Sequence, residues 1–545
     1  MFTRPEVVAA LLDLAGYTIE QPLHTWRLLE PSFGAGDVLL AAVERLLASF
    51  TAAGGSPKRG DELRDAIRAV EVHPASFVGV RAALRNLLIG RWGAPPAVAD
   101  ALCDHWLVCD DFLLAPIAGT FEIVVGNPPY VRQERIPGPL LAEYRRRYST
   151  VYDRADLYVP FFERGLQLLQ EHGRLAFICA NRWLKNKYGG PLRALIARDF
   201  HLSHYIDMEG TDAFKKKDVN AYPAITVLRR GVGVMTRIGR RPEAIHALPG
   251  LIEAMVAPGP VHDERVVEVE GAVQGSEPWL LDAAAPLRVL RRLEQDFLKL
   301  EDCGCTVGIG VATGADGVFI GDDAALPVEE ARKLPLVMAS DLRGGEIAWG
   351  GRFVLNPFEV DGRVAILERY PRFLAYVEAH REILKRRHVA RRSGEGWYRT
   401  IDRVHVGLTY TPKLLIPDIK GEPVVVLDEG RYYPHHNLYH VTSSRWDLKA
   451  LATILRSSVA VLFVSTYCVK ISGGFLRFQA QYLRRIRLPR WESLTVEQRA
   501  ALRAACPTDR AAIDHAVFAA YGLTERESVI VREAAGAALV QGNER

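Results

Sequence analysis

Two rhythms of apolar residues alternate along the first third of the chain. Apolar positions at helical spacing over 5–15, 35–49 and 74–90 predict amphipathic helices. Short, nearly unbroken apolar runs at 26–30, 67–72, 106–109 and 121–125 have the texture of buried strands. The alternation continues with a helix over 157–171 and strands at 173–181, 202–208 and 222–230. Strands apolar on both faces and separated by helices predict a parallel sheet covered on both sides, an α/β fold. From about 235 the texture changes. Gly and Pro punctuate short stretches such as GIGVATGADGVFIG (308–321) and KLLIPDIKGEPVVVLDEGRYYPHHNLYHV (413–441), which read as β-rich. Residues 495–540 return to an Ala-rich helical pattern. The divisions that follow are 1–240, 241–490 and 491–545.

Composition narrows the class. A chain of 545 residues exceeds one core, and 49% hydrophobic with 25% charged residues is a globular balance. No apolar run is long enough to span a bilayer, and the opening MFTRPEVVAALLDLAG lacks the layout of a signal peptide, so a cytoplasmic protein is expected. Seven cysteines are scattered; only Cys303 and Cys305 are close, and no second pair completes a zinc set. His435, His436 and His440 lack an accompanying cysteine or carboxylate set, so no metal is expected. The net charge of +4 says little, but its distribution says more. REILKRRHVARR (381–392) carries six Lys or Arg against Glu382, and RFQAQYLRRIRLPR (477–490) carries five Arg and no acid. These runs suit a phosphate backbone, with Arg386, Arg387, Arg484 and Arg485 as candidate contacts; a solvated helix face would explain either run equally well.

Three strand ends carry candidate cofactor chemistry. In LLEPSFGAGDVLL (28–40) a strand ends at an acid and enters a helix through Gly34 and Gly36, as in the nucleotide-binding turns of doubly wound sheets. It is not the dinucleotide fingerprint, whose third glycine position holds Leu39, and no Lys-Ser/Thr pair serves a triphosphate. Glu30 could engage an ammonium group. In AVEVHP (69–74), Glu71 is placed to accept two ribose hydroxyls. In LVCDDFLL (107–114), Asp111 could accept from an adenine amine while Phe112 packs on its ring, with Asp110 as the competing acid. The fourth strand end is FEIVVGNPPYVRQE (121–134). Its two adjacent prolines remove two backbone donors and fix an extended turn, as if an amide, a carbonyl and an aromatic ring had to be held in place.

Taken in order, FTRPEVV, EPSFGAG, VEV and NPPY resemble the adenine-N6 DNA methyltransferases that use S-adenosylmethionine, in the gamma class typified by the TaqI methyltransferase. The resemblance is dense over 1–230 and looser beyond, through WYRT, KLLIPDI, HHNLYH and AVFAAYGLTERE. It implies a Rossmann-like S-adenosylmethionine-dependent methyltransferase domain over 1–240. A mixed, mostly β target-recognition domain would span 241–490 and a helical tail 491–545. It implies a cofactor site of Thr3, Glu30, Ser32, Gly34, Gly36, Glu71, Asp111, Phe112, Asn127 and Pro129, and a catalytic Asn127-Pro128-Pro129-Tyr130. Tyr130 would stack on a flipped-out adenine, with Phe214, or in its place Tyr222, as the second wall. Lys215, Lys216 and Lys217 would meet phosphates. The implied partner is double-stranded DNA, with a separately encoded restriction endonuclease or defence subunits as candidate companions in a bacterial modification system. The same pocket serves RNA adenine and protein glutamine methylation, but those enzymes are shorter and lack a long basic β-rich half. A fused nuclease is not expected, because the chain opens at the cofactor domain and no PD…ExK set is found; an intact NPPY and Glu30 argue against a non-catalytic subunit.

Overall fold

The structure is a computed structural model that describes residues 3–214, 222–273, 275–281, 284–420, 423–468 and 476–540. The chain forms two compact units, 1–284 and 285–545.

The first unit is built on nine strands: β1 (Leu28–Glu30), β2 (Ile67–Val70), β3 (Leu107–Val108), β4 (Phe121–Gly126), β5 (Leu169–Ala180), β6 (Phe200–Asp207), β7 (Pro223–Arg230), β8 (Met235–Gly239) and β9 (Val266–Glu270). Their order is β3-β2-β1-β4-β5-β7-β6-β8-β9. The helices are α1 (Pro5–Leu14), α2 (Asp37–Ala52), α3 (Pro74–Asn86), α4 (Pro96–Trp106), α5 (Gly138–Arg147), α6 (Tyr158–Gln167), α7 (Gly190–Asp199) and α8 (Leu248–Val256). Proline opens α1, α3 and α4, where its missing N–H costs nothing and its fixed φ suits the first turn. Alternate strand residues feed two cores. Ile123, Val125, Ala176 and Ile178 pack with α1, α2 and α8, whereas Val124, Leu175 and Phe177 pack with α6 and α7.

Strands β3 to β5 are parallel, as the alternation predicts. The prediction of an all-parallel sheet fails at β7, which runs antiparallel to both β5 and β6. No helix is predicted between β6 and β7, and without a crossover the chain can re-enter the sheet only by reversing. The sheet also continues past 240: β8 pairs parallel to β6 and β9 antiparallel to β8, and Trp279 is buried in the second core. The expected boundary at 240 therefore falls inside this unit.

Among the described residues the second unit holds two four-stranded sheets and three two-stranded ones. One four-stranded sheet runs Cys305–Ile309, Leu438–Ser443, Lys413–Pro417, Val426–Asp428, antiparallel throughout. The other runs Ile320–Gly321, Phe353–Leu355, Lys333–Val337, Tyr433–Pro434. Within the segment expected to be mostly β, Leu448–Arg456 and Ser458–Tyr467 are buried helices, capped by Asp447 and Ser457. The expected helical tail, Val496–Ala504, Arg510–Tyr521 and Glu525–Val540, is present and falls within this unit. The buried Asp514 carboxylate accepts from the Ser458 N–H and hydroxyl at 2.8 and 2.6 Å. Among the described residues no single helix is long and apolar enough to cross a membrane.

Candidate active site

The carboxyl ends of β1, β2 and β4 meet at one edge of the sheet. Register aligns Leu28 with Ile123 and Leu29 with Val124, so Glu30 finishes beside the end of β4. The chain comes close here because residue 126 is glycine: a Cβ would lie 3.4 Å from Pro31 Cδ and 3.6 Å from Glu30 Cγ. The turn after β1 is carried by Gly34 and Gly36, at φ +55° and +86°, a backbone that side chains disfavour. Space above Gly34 is open, whereas Gly36 faces Val80 of α3. Ser32 is half-buried in the same turn.

Two buried polar atoms at this edge have no partner. Glu30 is 1% exposed and its Oε2 is unsatisfied. Burial, reinforced by the nearby Asp37 and Glu71 carboxylates, pushes its pKa well above the usual carboxylate range. The second atom is Asn127 Oδ1. Its amide Nδ2 donates to Thr3 Oγ1 at 3.3 Å, while the Thr3 N–H donates to Asp37 Oδ2 at 2.9 Å. An unpaired carboxyl calls for a cationic donor and an unpaired amide oxygen for an N–H. The pair, the open turn and Glu71 fit a ligand carrying an ammonium group.

Glu71 is buried and already holds the turn: Oε2 accepts from Gly34 N at 2.7 Å and Oε1 from His73 N at 2.9 Å. Asp111 accepts from the Tyr144 hydroxyl at 2.5 Å and from Leu113 N at 2.9 Å. Asp110 is exposed and accepts from Asp111 N at 2.7 Å. The expected packing of Phe112 on a ligand ring does not match its position. Its side chain is 2% exposed, 5.0 Å from the Phe161 ring, with the Arg164 guanidinium 5.0 Å above it.

The loop after β4 carries Pro128, buried, and Pro129 and Tyr130, half-buried. The Tyr130 hydroxyl donates to Ile178 O at 3.4 Å, and burial raises its pKa well above the ordinary phenol value. Phe214 meets it edge to face, with centroids 6.3 Å apart at 84°. The expected second wall is thus beside Tyr130, but in this arrangement it contacts the ring directly. Thr3 forms a single antiparallel bridge with Phe214, and Arg4 N donates to Ala213 O at 3.3 Å, which ties the N-terminal segment to this wall. The reserve residue Tyr222 lies under the Arg182 guanidinium at 4.8 Å. Lys215, Lys216 and Lys217 lie outside the described residues.

Of the four arginines proposed to meet phosphates, two are spent on structure. Arg387 donates to the carbonyls of Leu384, Thr313 and Trp397 and covers the Phe319 ring, so it is not a free surface cation. Arg484 donates to Glu301 at 2.9 Å and to Val307 O at 2.7 Å. Arg485 lies over the Tyr467 ring at 5.0 Å, and Arg386 is exposed. His440 sits in a strand, its pKa pushed down to about 4 by burial and by Lys413. The His435 and His436 ring centroids lie 4.0 Å apart at a 54° tilt, with His435 Nε2 3.3 Å from Asp316 Oδ2, a carboxylate the histidine pattern alone does not reveal.

A family model described as Eco57I restriction-modification methylase matches residues 105–214, and one described as a TaqI-like C-terminal specificity domain matches 368–488. The chain is 53% identical to the type II methyltransferase M.PaeR7I of Pseudomonas aeruginosa over 97% of its own length and 92% of that protein. The chain belongs to the type II restriction–modification methyltransferases. Other members of this methyltransferase family include M.XhoI of Xanthomonas vasicola, 52% identical over 97% of this chain and 98% of that protein. M.BstVI of Geobacillus stearothermophilus is 39% identical over 98% of each. The methyltransferase shares its fold with the type IIL restriction–modification enzyme MmeI, solved in complex with DNA: the TM-score is 0.60 at 13% identity, covering 98% of this chain and 77% of that one.

Proposed function

We propose that this methyltransferase transfers a methyl group from S-adenosylmethionine to N6 of an adenine flipped out of double-stranded DNA, as the modification component of a bacterial restriction–modification system. The observation that carries the reading is the buried, unpartnered Asn127 Oδ1 on a loop stiffened by two prolines, one strand away from the unpartnered Glu30 carboxyl. When bound, S-adenosylmethionine supplies an electrophilic sulfonium methyl. Glu30 would hold its ammonium group, Glu71 its ribose hydroxyls, and Asp110 or Asp111 its adenine amine, with the Gly34 turn giving the backbone close approach.

The chain's own part is to make a poor nucleophile usable. An adenine amine delocalises its lone pair into the ring. Asn127 Oδ1 and the Pro128 carbonyl can each accept one of its protons, which favours a pyramidal nitrogen with an available lone pair. Both acceptors are fixed before substrate arrives, so little reorganisation is needed. Tyr130 offers a stacking face to offset the stacking lost from the duplex. The product ammonium is acidic enough to lose its proton to water. Methyl transfer is assigned to the first unit, 1–284, and target recognition to the second, 285–545, with Arg386 and Arg485 as the recognition-half arginines to test first.

Replacing Asn127 with Ala tests the mechanism. DNA binding should persist while methyl transfer falls by at least about a hundredfold, the scale of losing one preorganised hydrogen-bonding group at the reacting centre. Near-wild-type transfer would overturn it. Long-read mapping of methylated adenines in DNA from cells expressing the protein tests the substrate; no modified adenine in the presence of folded, cofactor-loaded protein would point to RNA or protein amides.

A further inference from the structure

The turn after β5, residues 181–188, takes no part in the chemistry above, yet it is firmly built. It consists of two short 3-10 turns, Asn181–Leu184 and Lys187–Gly189. The Trp183 side chain is fully buried, its ring 5.4 Å from Phe162 and 5.5 Å from Trp279. Arg193 of α7, itself only 2% exposed, donates to the carbonyls of Trp183 and Asn186. At position 189 any Cβ would collide with the Trp183 carbonyl, so glycine closes the turn. The backbone is therefore clamped from below by Trp183, Leu184, Tyr188 and Arg193.

What this platform leaves toward solvent is Arg182, Lys185 and Lys187, with no acid in the segment. Two of the three cations rest on aromatic rings. Arg182 covers Tyr222 at 4.8 Å, and the Lys187 ammonium lies 5.9 Å from the centroid of Tyr152, which is 43% exposed. Ring contact limits the motion of a long side chain without neutralising its charge. The turn leaves the carboxyl end of β5, the parallel neighbour of β4, which runs directly into Asn127. Asp156 feels the charges of both Arg182 and Arg132, which places the exposed Arg132 at the same rim.

We propose that the 181–188 turn is a phosphate grip in which Arg182, Lys185 and Lys187 hold the backbone of the DNA strand that delivers the target nucleotide to Asn127. Cations on a rigid base, interleaved with aromatics, suit a sequence-independent polyanion, with Asp156 the neighbouring acid that Arg182 and Arg132 both act on. A base must be drawn out at the mouth of the pocket, and the phosphates flanking it are what the protein can hold while that happens. The inference rests on the reading of DNA as substrate.

The test is the triple variant Arg182→Ala/Lys185→Ala/Lys187→Ala beside wild type, on a duplex carrying the mapped methylation site and on an unrelated duplex of equal length. Affinity for both duplexes should fall roughly tenfold to a hundredfold, and the slope of log affinity against log salt should become shallower by about 2 to 3, close to 0.9 per lost phosphate contact. Single-turnover transfer at saturating DNA should stay within about threefold of wild type, and Arg182→Lys should restore its share of the slope. The exposed Lys187, replaced singly, removes about one unit of slope without touching the buried platform. An unchanged slope overturns the grip. So does a loss confined to the cognate duplex, or a collapse of the saturated rate with affinity intact. Wild-type protein that binds no DNA would overturn the substrate reading as well, whereas a wild type that binds and a variant that matches it overturn the grip alone.

Discussion

Glu30 shows what a single residue at this site costs and gains. Burial and two neighbouring acids hold its carboxyl in the protonated form well past the usual range. An acid whose folded pKa is raised destabilises the folded protein as pH climbs above the unfolded value, because only the unfolded chain can then ionise freely. Glu30→Gln should therefore raise the melting temperature of the ligand-free protein at neutral pH. The same change should weaken S-adenosylmethionine binding about tenfold or more, the scale of one charge-assisted contact. In the wild type, ammonium binding requires the carboxylate, so affinity should rise with pH and a proton should be released on binding; Glu30→Gln should abolish both in calorimetry run in two buffers. Tyr130→Ala should lower transfer about tenfold to a hundredfold, the worth of one stacked base, and Tyr130→Trp should recover most of it. At this scale the sequence was legible where a motif fixed the backbone: Glu30, Asn127 and Thr3 converge as the motif order implied. It was not legible for Phe112 or Arg387. Whether an aromatic faces a ligand or the core, and whether a guanidinium meets solvent or carbonyls, depends on partners dozens of residues away.

Among the elements, the turn between β1 and α2 bears the most on function. Gly36 combines a left-handed φ of +86° with Val80 methyls that would lie 3.1 and 3.2 Å from an added Cβ. Gly36→Ala should cost about 1–2 kcal/mol from the backbone alone, read as a lower denaturation midpoint, and should weaken cofactor binding because the turn must shift. Most elements of the first unit were visible as periodicity. The helices α4, α5 and α7 were not, since each packs a narrow stripe of apolar residues and their charged faces dilute the pattern. The reversal at β7 was hidden for a different reason. Strand direction is set by the connection, and nothing in an apolar run records which way it points.

At the scale of the whole chain, the second unit carries an ion pair with no access to water. Lys413 Nζ and Asp428 Oδ2 are 2.6 Å apart and both side chains are 0% exposed. Asp428→Asn would strand the ammonium, which already has its pKa lowered by burial, and should destabilise the second unit by roughly 3–5 kcal/mol in denaturant titration. In the first unit, Thr3 joins three parties that the chain keeps far apart: Asp37 beside the cofactor turn, the Asn127 amide, and the backbone of Phe214. If a base displaces Phe214 from Tyr130, as the proposed reaction requires, the Thr3 bridge would carry that displacement to Asp37 beside the Gly34 turn. The two binding events are then thermodynamically linked through one short segment. Duplex DNA should change the affinity for S-adenosylmethionine, and the cofactor should change the affinity for the duplex by the same factor, so that the enzyme assembles its two substrates cooperatively rather than independently.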